Sequence, residues 1–167
     1  ERFPVFQIKI KKENGDSQIL LVDDDGFVFR NIKFQDSMIN RLPFLAGVDL
    51  HSNGDGYHPI NSVPCLAQLY QVARRDFPEL AREWEVFYAD QLIMAETFTK
   101  GYIRVRSRGV EEILFSPENF GEQLEKLEYI LDSHGGPSVS SVSRVNLSLL
   151  DQPTVEFANN TYPNSLY

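Results

Sequence analysis

LVDDDGFVF, residues 21–29, sets three consecutive aspartates between apolar runs. Two readings compete for Asp23, Asp24 and Asp25: a metal or catalytic cluster, or the turn of a hairpin. A calcium site built from carboxylates needs six or more oxygens converging from several positions. Successive residues of a strand point to opposite faces, so three in a row do not converge. Asp25-Gly26 between two β-prone runs is a strong hairpin signal, because glycine accepts the positive φ such turns need. The hairpin reading is therefore taken. Residues 19–22 form one strand, and Phe27 and Phe29 begin the next, with Ile32 and Phe34 as its possible continuation.

Next to it, Phe3 and Val5, then Ile8 and Ile10 alternating with Lys9 and Lys11, predict a strand over residues 3–13. Asn14-Gly15-Asp16 turns the chain. Residues 35–61 read as loop, including LPFLAG (42–47) and HSNGDGYHP (51–59). A helix follows, with Ser62 as its cap, Pro64 in its first turn, and Leu66, Leu69, Ala73 and Phe77 at helical spacing. Pro78 ends or bends it. Residues 83–115 alternate as strands. The strand 102–106 sets Tyr102, Arg104 and Arg106 on one face and Ile103 and Val105 on the other. Ser107-Arg108-Gly109 returns the chain into a strand over 110–115.

A second helix opens at Ser116 and Pro117. Phe120, Leu124, Leu127 and Leu131 form its apolar stripe, and Gly135-Gly136-Pro137 closes it. Residues 142–157 read as one long alternating strand through Val145, Leu147, Leu149, Val155 and Phe157. Sequential hairpins with two helices predict an α+β fold: a mainly antiparallel, curved sheet with both helices packed on one face.

The chain has 167 residues and a formal charge of −8, with 42% hydrophobic and 24% charged residues. This suits one globular domain and disfavours nucleic acid, whose binding rests on lysine and arginine neutralising phosphates. No run of 18 or more apolar residues is present. The chain starts at Glu1, so it is read as a piece of a longer protein. Cys65, the only cysteine, has no partner for an internal disulfide and lies in an apolar pattern as core filler.

Candidate chemistry is sparse. Asp49, His51, Asn53 and Gly54 echo the start of a calcium loop, but His51 replaces an oxygen ligand and Ile60 stands where a bidentate glutamate belongs. No nucleophile elbow, phosphate-binding glycine loop or dinucleotide fingerprint occurs. The expectation is therefore no catalytic residue, no metal and no cofactor. Arg104 and Arg106 form a candidate recognition face. The closing strand is the stronger candidate. A terminal strand often lies at a sheet edge, Pro153 is tolerated mainly at edges, and an edge offers backbone groups to a second chain.

Taken in order, these pieces resemble the extracytoplasmic β-domain of the bacterial cell-division proteins FtsQ and DivIB. ERFPV (1–5) is similar to that family's E-x-x-P-V, LVDDDGFVF to its L-V-D-x-x-G-x-V-F hairpin, and LPFLAG to its L-P-x-L-x-G. ILFSPENFGEQLEKLEYIL is similar to its late strand and helix, and RVNLSLLDQPTVEF (144–157) to its last paired strands. The resemblance implies a β-domain over 1–158 and a tail over 159–167. It also implies a transmembrane anchor and a POTRA domain before Glu1.

The implied role is a non-enzymatic scaffold outside the cytoplasmic membrane that recruits FtsB/FtsL (DivIC)-type partners by strand addition. The implied contacts are Val145, Leu147, Ser148, Leu149, Thr154, Val155 and Phe157. Ser148 stands where the family has arginine, Leu149 where it has tyrosine, Asn146 where it has aspartate and Gln152 where it has glycine. Two other readings stay open: an unrelated membrane-anchored interaction domain, and a metal-dependent hydrolase using the His51–His58 loop.

Overall fold

The computed structural model describes residues 1–138, 141–149 and 151–158, so the tail expected over 159–167 lies outside the described residues. The chain forms β1 (Phe6–Lys11), β2 (Ser17–Val22), β3 (Val28–Arg30), α1 (Asp36–Ile39), β4 (Phe44–Ala46), α2 (Val63–Asp76), α3 (Pro78–Ala81) and β5 (Trp84–Tyr88). β6 (Leu92–Met94), β7 (Thr99–Gly101), β8 (Ile103–Ser107), β9 (Glu112–Phe115), α4 (Phe120–Asp132), β10 (Val142–Asn146) and β11 (Thr154–Phe157) follow. Among the described residues nine strands make one mixed sheet in the order β11-β10-β9-β8-β5-β4-β1-β2-β3, while β6 and β7 pair separately. Most neighbours are antiparallel, but β1-β4, β4-β5 and β9-β10 run parallel. The architecture is α+β, as the residue pattern predicts.

Chain direction explains why both long helices share a face. β4 reaches β5 through α2 and α3, and β9 reaches β10 through α4; both steps run toward β11. β5 and β9 are each antiparallel to β8, so they point the same way. Crossovers between parallel strands are right-handed almost without exception. Equal direction and equal step therefore put α2 and α4 on the same side, where they touch.

The core forms between that side of the sheet and the helices. Phe6, Val22, Leu45, Phe87, Ile103, Val105, Ile113, Phe115 and Val145 meet Leu66, Leu69 and Ala73 of α2 and Leu124, Leu127 and Leu131 of α4. At its centre the Phe87 ring lies 5.0 Å from Phe6, 5.4 Å from Tyr70 and 5.6 Å from Trp84, all edge-on. Among the described residues no helix is long and apolar enough to cross a membrane.

The opening stretch is a hairpin, with β2 and β3 joined through Asp23–Phe27 and Gly26 at φ +89°. The turn is as expected, but its three carboxylates come together where the sequence predicts that they diverge. The aspartates sit in a turn, where strand alternation does not apply, and one ligand atom from each lies within 4.8 Å of the others. Asp23 is also buried. Its Oδ1 accepts the N–H groups of Asp25 (3.1 Å) and Phe27 (2.9 Å), and its Oδ2 pairs with Arg2. Asp23 thus ties the turn together, while Asp24 and Asp25 face solvent. Ile32 does not extend β3; it is fully exposed beyond the strand's end at Arg30.

Other boundaries moved for local reasons. LPFLAG contains β4, a central strand flanked by β1 and β5, with Leu45 buried. Pro78 does not simply stop the helix: Phe77 leaves helical geometry at φ −135°, and Pro78 begins α3. Ser62 holds the position before α2 without a side-chain cap bond. Ser116 does not cap α4, which starts at Phe120 after Asn119 in the left-handed region at φ +55°.

Candidate functional site

The closing segment is a hairpin of two strands. β10 pairs parallel with β9 on one side and antiparallel with β11 on the other. The Leu147 N–H still reaches the Leu114 carbonyl (2.8 Å). Beyond it, Asn146 Oδ1 accepts the Ser148 amide (3.0 Å) and hydroxyl (2.6 Å), a local turn that ends the strand. Asp151-Gln152-Pro153 then leads into β11.

This corrects the predicted contacts. Val145 and Leu147 are core residues, 0% and 4% exposed, and β10 is satisfied on both rims. Ser148 belongs to the turn, not to an edge. Thr154, Val155 and Phe157 lie in β11, the sheet's outermost strand on this side among the described residues. Leu149 and Phe157 are both exposed large apolar residues.

Hydrogen bonds fix which way β11 turns its backbone. The Glu156 carbonyl accepts from Ser143 Oγ (3.1 Å), and the Ala158 N–H donates to the Ser141 carbonyl (2.9 Å). Residues 156 and 158 thus face β10. Main-chain groups of a strand alternate in direction, so those of Val155 and Phe157 face away. Among the described residues no strand pairs with that outer rim.

Side chains alternate as well. Val155 packs against the core on the helix side. Phe157 points the same way, with its ring 5.1 Å from that of His134 at the end of α4. Farther along, Leu147, Leu149 and Pro153 face Glu118, Glu122 and Lys126 across a groove of about 30 Å³. His134 Nδ1 lies 2.7 Å from the Ile130 carbonyl, which fixes the ring against its own helix.

On the open face Arg104 is already engaged. Its guanidinium lies 4.0 Å from the Tyr88 ring centre and 3.9 Å from both Asp90 and Glu112. Glu112 in turn approaches Arg144 Nε at 2.8 Å, an ion pair outside hydrogen-bond angles, and Arg144 Nη1 donates to Glu156 at 3.2 Å. Arg104 therefore begins a line of charges that crosses β8, β9, β10 and β11.

Arg106 leads elsewhere. It lines a cleft of about 690 Å³ with Arg41, Arg82, Arg108 and Trp84, and pairs with Glu85 at 3.7 Å. Arg108 reaches Glu83 and Glu85, and Arg82 pairs with Glu79. The sequence marks Arg106 of β8 but gives no sign of its companions, because Arg41, Arg82 and Arg108 come from the segment after α1, the end of α3 and the β8–β9 turn.

The His51–His58 loop closes through a Ser52–Tyr57 bridge and a His58 N–H bond to the His51 carbonyl (2.8 Å). Among the described residues only Asp23, Asp24 and Asp25 gather three ligand atoms, and Asp23 is occupied by Arg2 and two amides. Cys65 is half-buried, with Sγ 3.8 Å from the Pro117 carbonyl, and burial pushes its thiol pKa up. In comparisons with known proteins, no family model matches the chain and no curated protein matches it.

Proposed function

We propose that this chain is a non-enzymatic docking domain of the bacterial division machinery on the outer side of the cytoplasmic membrane. It recruits FtsB/FtsL-type membrane partners by accepting a strand at β11. The observation that carries the reading is the outward turn of the Val155 and Phe157 main chain on the outermost strand, beside an exposed Phe157 side chain. Strand addition needs such a rim: main-chain hydrogen bonds provide affinity, and alternate side chains provide selectivity. The ordered resemblance of ERFPV, LVDDDGFVF, LPFLAG and RVNLSLLDQPTVEF to the FtsQ/DivIB β-domain supports the division role.

The contact set is Leu149, Thr154, Val155 and Phe157. Arg106 lies apart from it, in the arginine-lined cleft, where it pairs with Glu85. The test is recovery of membrane proteins with the protein from its host cells, comparing wild type with Val155→Pro, which removes an outward N–H. Wild type should bring down an FtsB/FtsL-type protein and the variant should lose it. Recovery of no such protein, or equal recovery with both, refutes the proposal.

A further inference from the structure

We propose that the strand completing the sheet at β11 carries a lysine or arginine opposite Glu156, with an apolar residue on each side of it. This rests on the reading of β11 as a docking edge and adds the chemistry of its occupant. Three observations support it.

The first is the order of charge. From Asp90 the line runs through Arg104, Glu112 and Arg144 to Glu156, alternating in sign at every step. Across β8, β9, β10 and β11 each charged side chain neighbours its opposite on the next strand. Glu156 is the last member, and its side chain is 61% exposed. Arg144 engages Oε1; among the described residues Oε2 has no partner. A strand added outside β11 meets a carboxylate half satisfied from within.

The second is the backbone. Val155 and Phe157 direct their amides and carbonyls outward, while Glu156 directs its own toward β10. In an antiparallel addition Val155 and Phe157 form the hydrogen-bonded pairs. Glu156 then falls in the non-hydrogen-bonded pair between them, where Cα atoms come within about 4.5 Å and side chains are closest. An opposite charge there is favourable and a like charge unfavourable.

The third is the other face. The incoming residues on either side of the basic one point toward the helix side, next to Val155 and Phe157. Phe157 is 55% exposed and Val155 packs against the core, so both neighbours extend an apolar surface. The occupant is therefore an apolar–basic–apolar strand.

The probe is a phage-displayed library of nine-residue peptides that alternate valine with a randomised position, selected on the protein. Wild type should enrich lysine and arginine over aspartate and glutamate at a randomised position, by about threefold or more. Glu156→Lys should reverse the preference, and Glu156→Gln should abolish it. Val155→Pro should remove binding, with Phe157→Pro in its place if the first variant does not fold. Unchanged selection on Glu156→Lys, with binding still lost in the proline variant, overturns the charge rule and leaves the docking edge standing. Failure to select any peptide, or binding insensitive to proline, overturns the edge and this inference with it.

Discussion

Gln123 of α4 holds both main-chain groups of Ser116. Its Oε1 accepts the Ser116 N–H at 2.8 Å, and its Nε2 donates to the Ser116 carbonyl at 3.2 Å. The same Nε2 also donates to the Glu118 carbonyl at 2.6 Å. Both residues are buried, so the side-chain amide acts for the end of β9 as a neighbouring strand would. Removing it leaves buried backbone groups without partners, at about 1–3 kcal/mol for an unsatisfied group. Gln123→Ala should lower unfolding stability by about that amount in urea titration, with little change in the slope. A loss below about 0.5 kcal/mol would show that the connection is held by other means.

Gly26 tests the hairpin formed by LVDDDGFVF. Its φ is +89°, and a Cβ there would lie 2.4 Å from the Ile60 carbonyl oxygen. That oxygen is backbone, so neither side can yield cheaply. Gly26→Ala should destabilise the fold by about 2 kcal/mol or more, combining left-handed backbone cost with the clash. A melting temperature within a degree or two of wild type would contradict this geometry.

Asp23 separates turn chemistry from metal chemistry. Asp23→Asn keeps an oxygen for the amides of Asp25 and Phe27 but loses the charge paired with Arg2; Asp23→Ala loses both. Asp23→Ala should therefore be the more destabilising, by about 1 kcal/mol or more. Calcium or zinc titration should leave the melting temperature of wild type unchanged, whereas a bound ion would raise it.

Much of the fold was readable because periodicity marks burial directly. Phe120, Leu124, Leu127 and Leu131 are spaced as one helical stripe and are buried as one. Ile103 and Val105 alternate with Arg104 and Arg106, and the two sets lie on opposite faces. What escaped depends on partners distant in sequence. Phe44-Leu45-Ala46 is too short to read as a strand, and it becomes central only because β1 and β5 flank it. The closing segment alternates through Leu149, which hides its reversal before Thr154 behind the pattern of a single strand. With the chain reversed, Val145 and Leu147 lie in the core and not on the rim.

The Cys65 thiol offers a chemical check on the α2 side. Burial raises its pKa above the ordinary thiol value, which reduces the thiolate present at a given pH. Thiolate is the reactive form, so at pH 8 the folded protein should react with a disulfide reagent several-fold more slowly than free cysteine. Denaturant should restore the ordinary rate. Equal rates in folded and unfolded protein would mean that Cys65 is open to solvent.

Arg144 should matter for the edge more than for the whole. It joins Glu112 to Glu156 across three strands, and its side chain is 39% exposed. Exposed pairs contribute about 0–1 kcal/mol, so Arg144→Met should change global stability little. Hydrogen exchange at Ala158, whose N–H bonds Ser141, should nevertheless accelerate several-fold as β11 loosens. Leu149→Asp, on the exposed turn, should weaken partner binding while the fold persists. Unchanged affinity would remove Leu149 from the contact set.

The most direct measurement is residue-resolved amide exchange along β11 by nuclear magnetic resonance. In the protein alone, Val155 and Phe157 should exchange close to the rate of an open chain, while Leu147 and Ala158 stay protected by Leu114 and Ser141. Slow exchange at Val155 and Phe157 in the absence of any second polypeptide would mean that the chain closes its own sheet, contradicting strand acceptance at β11.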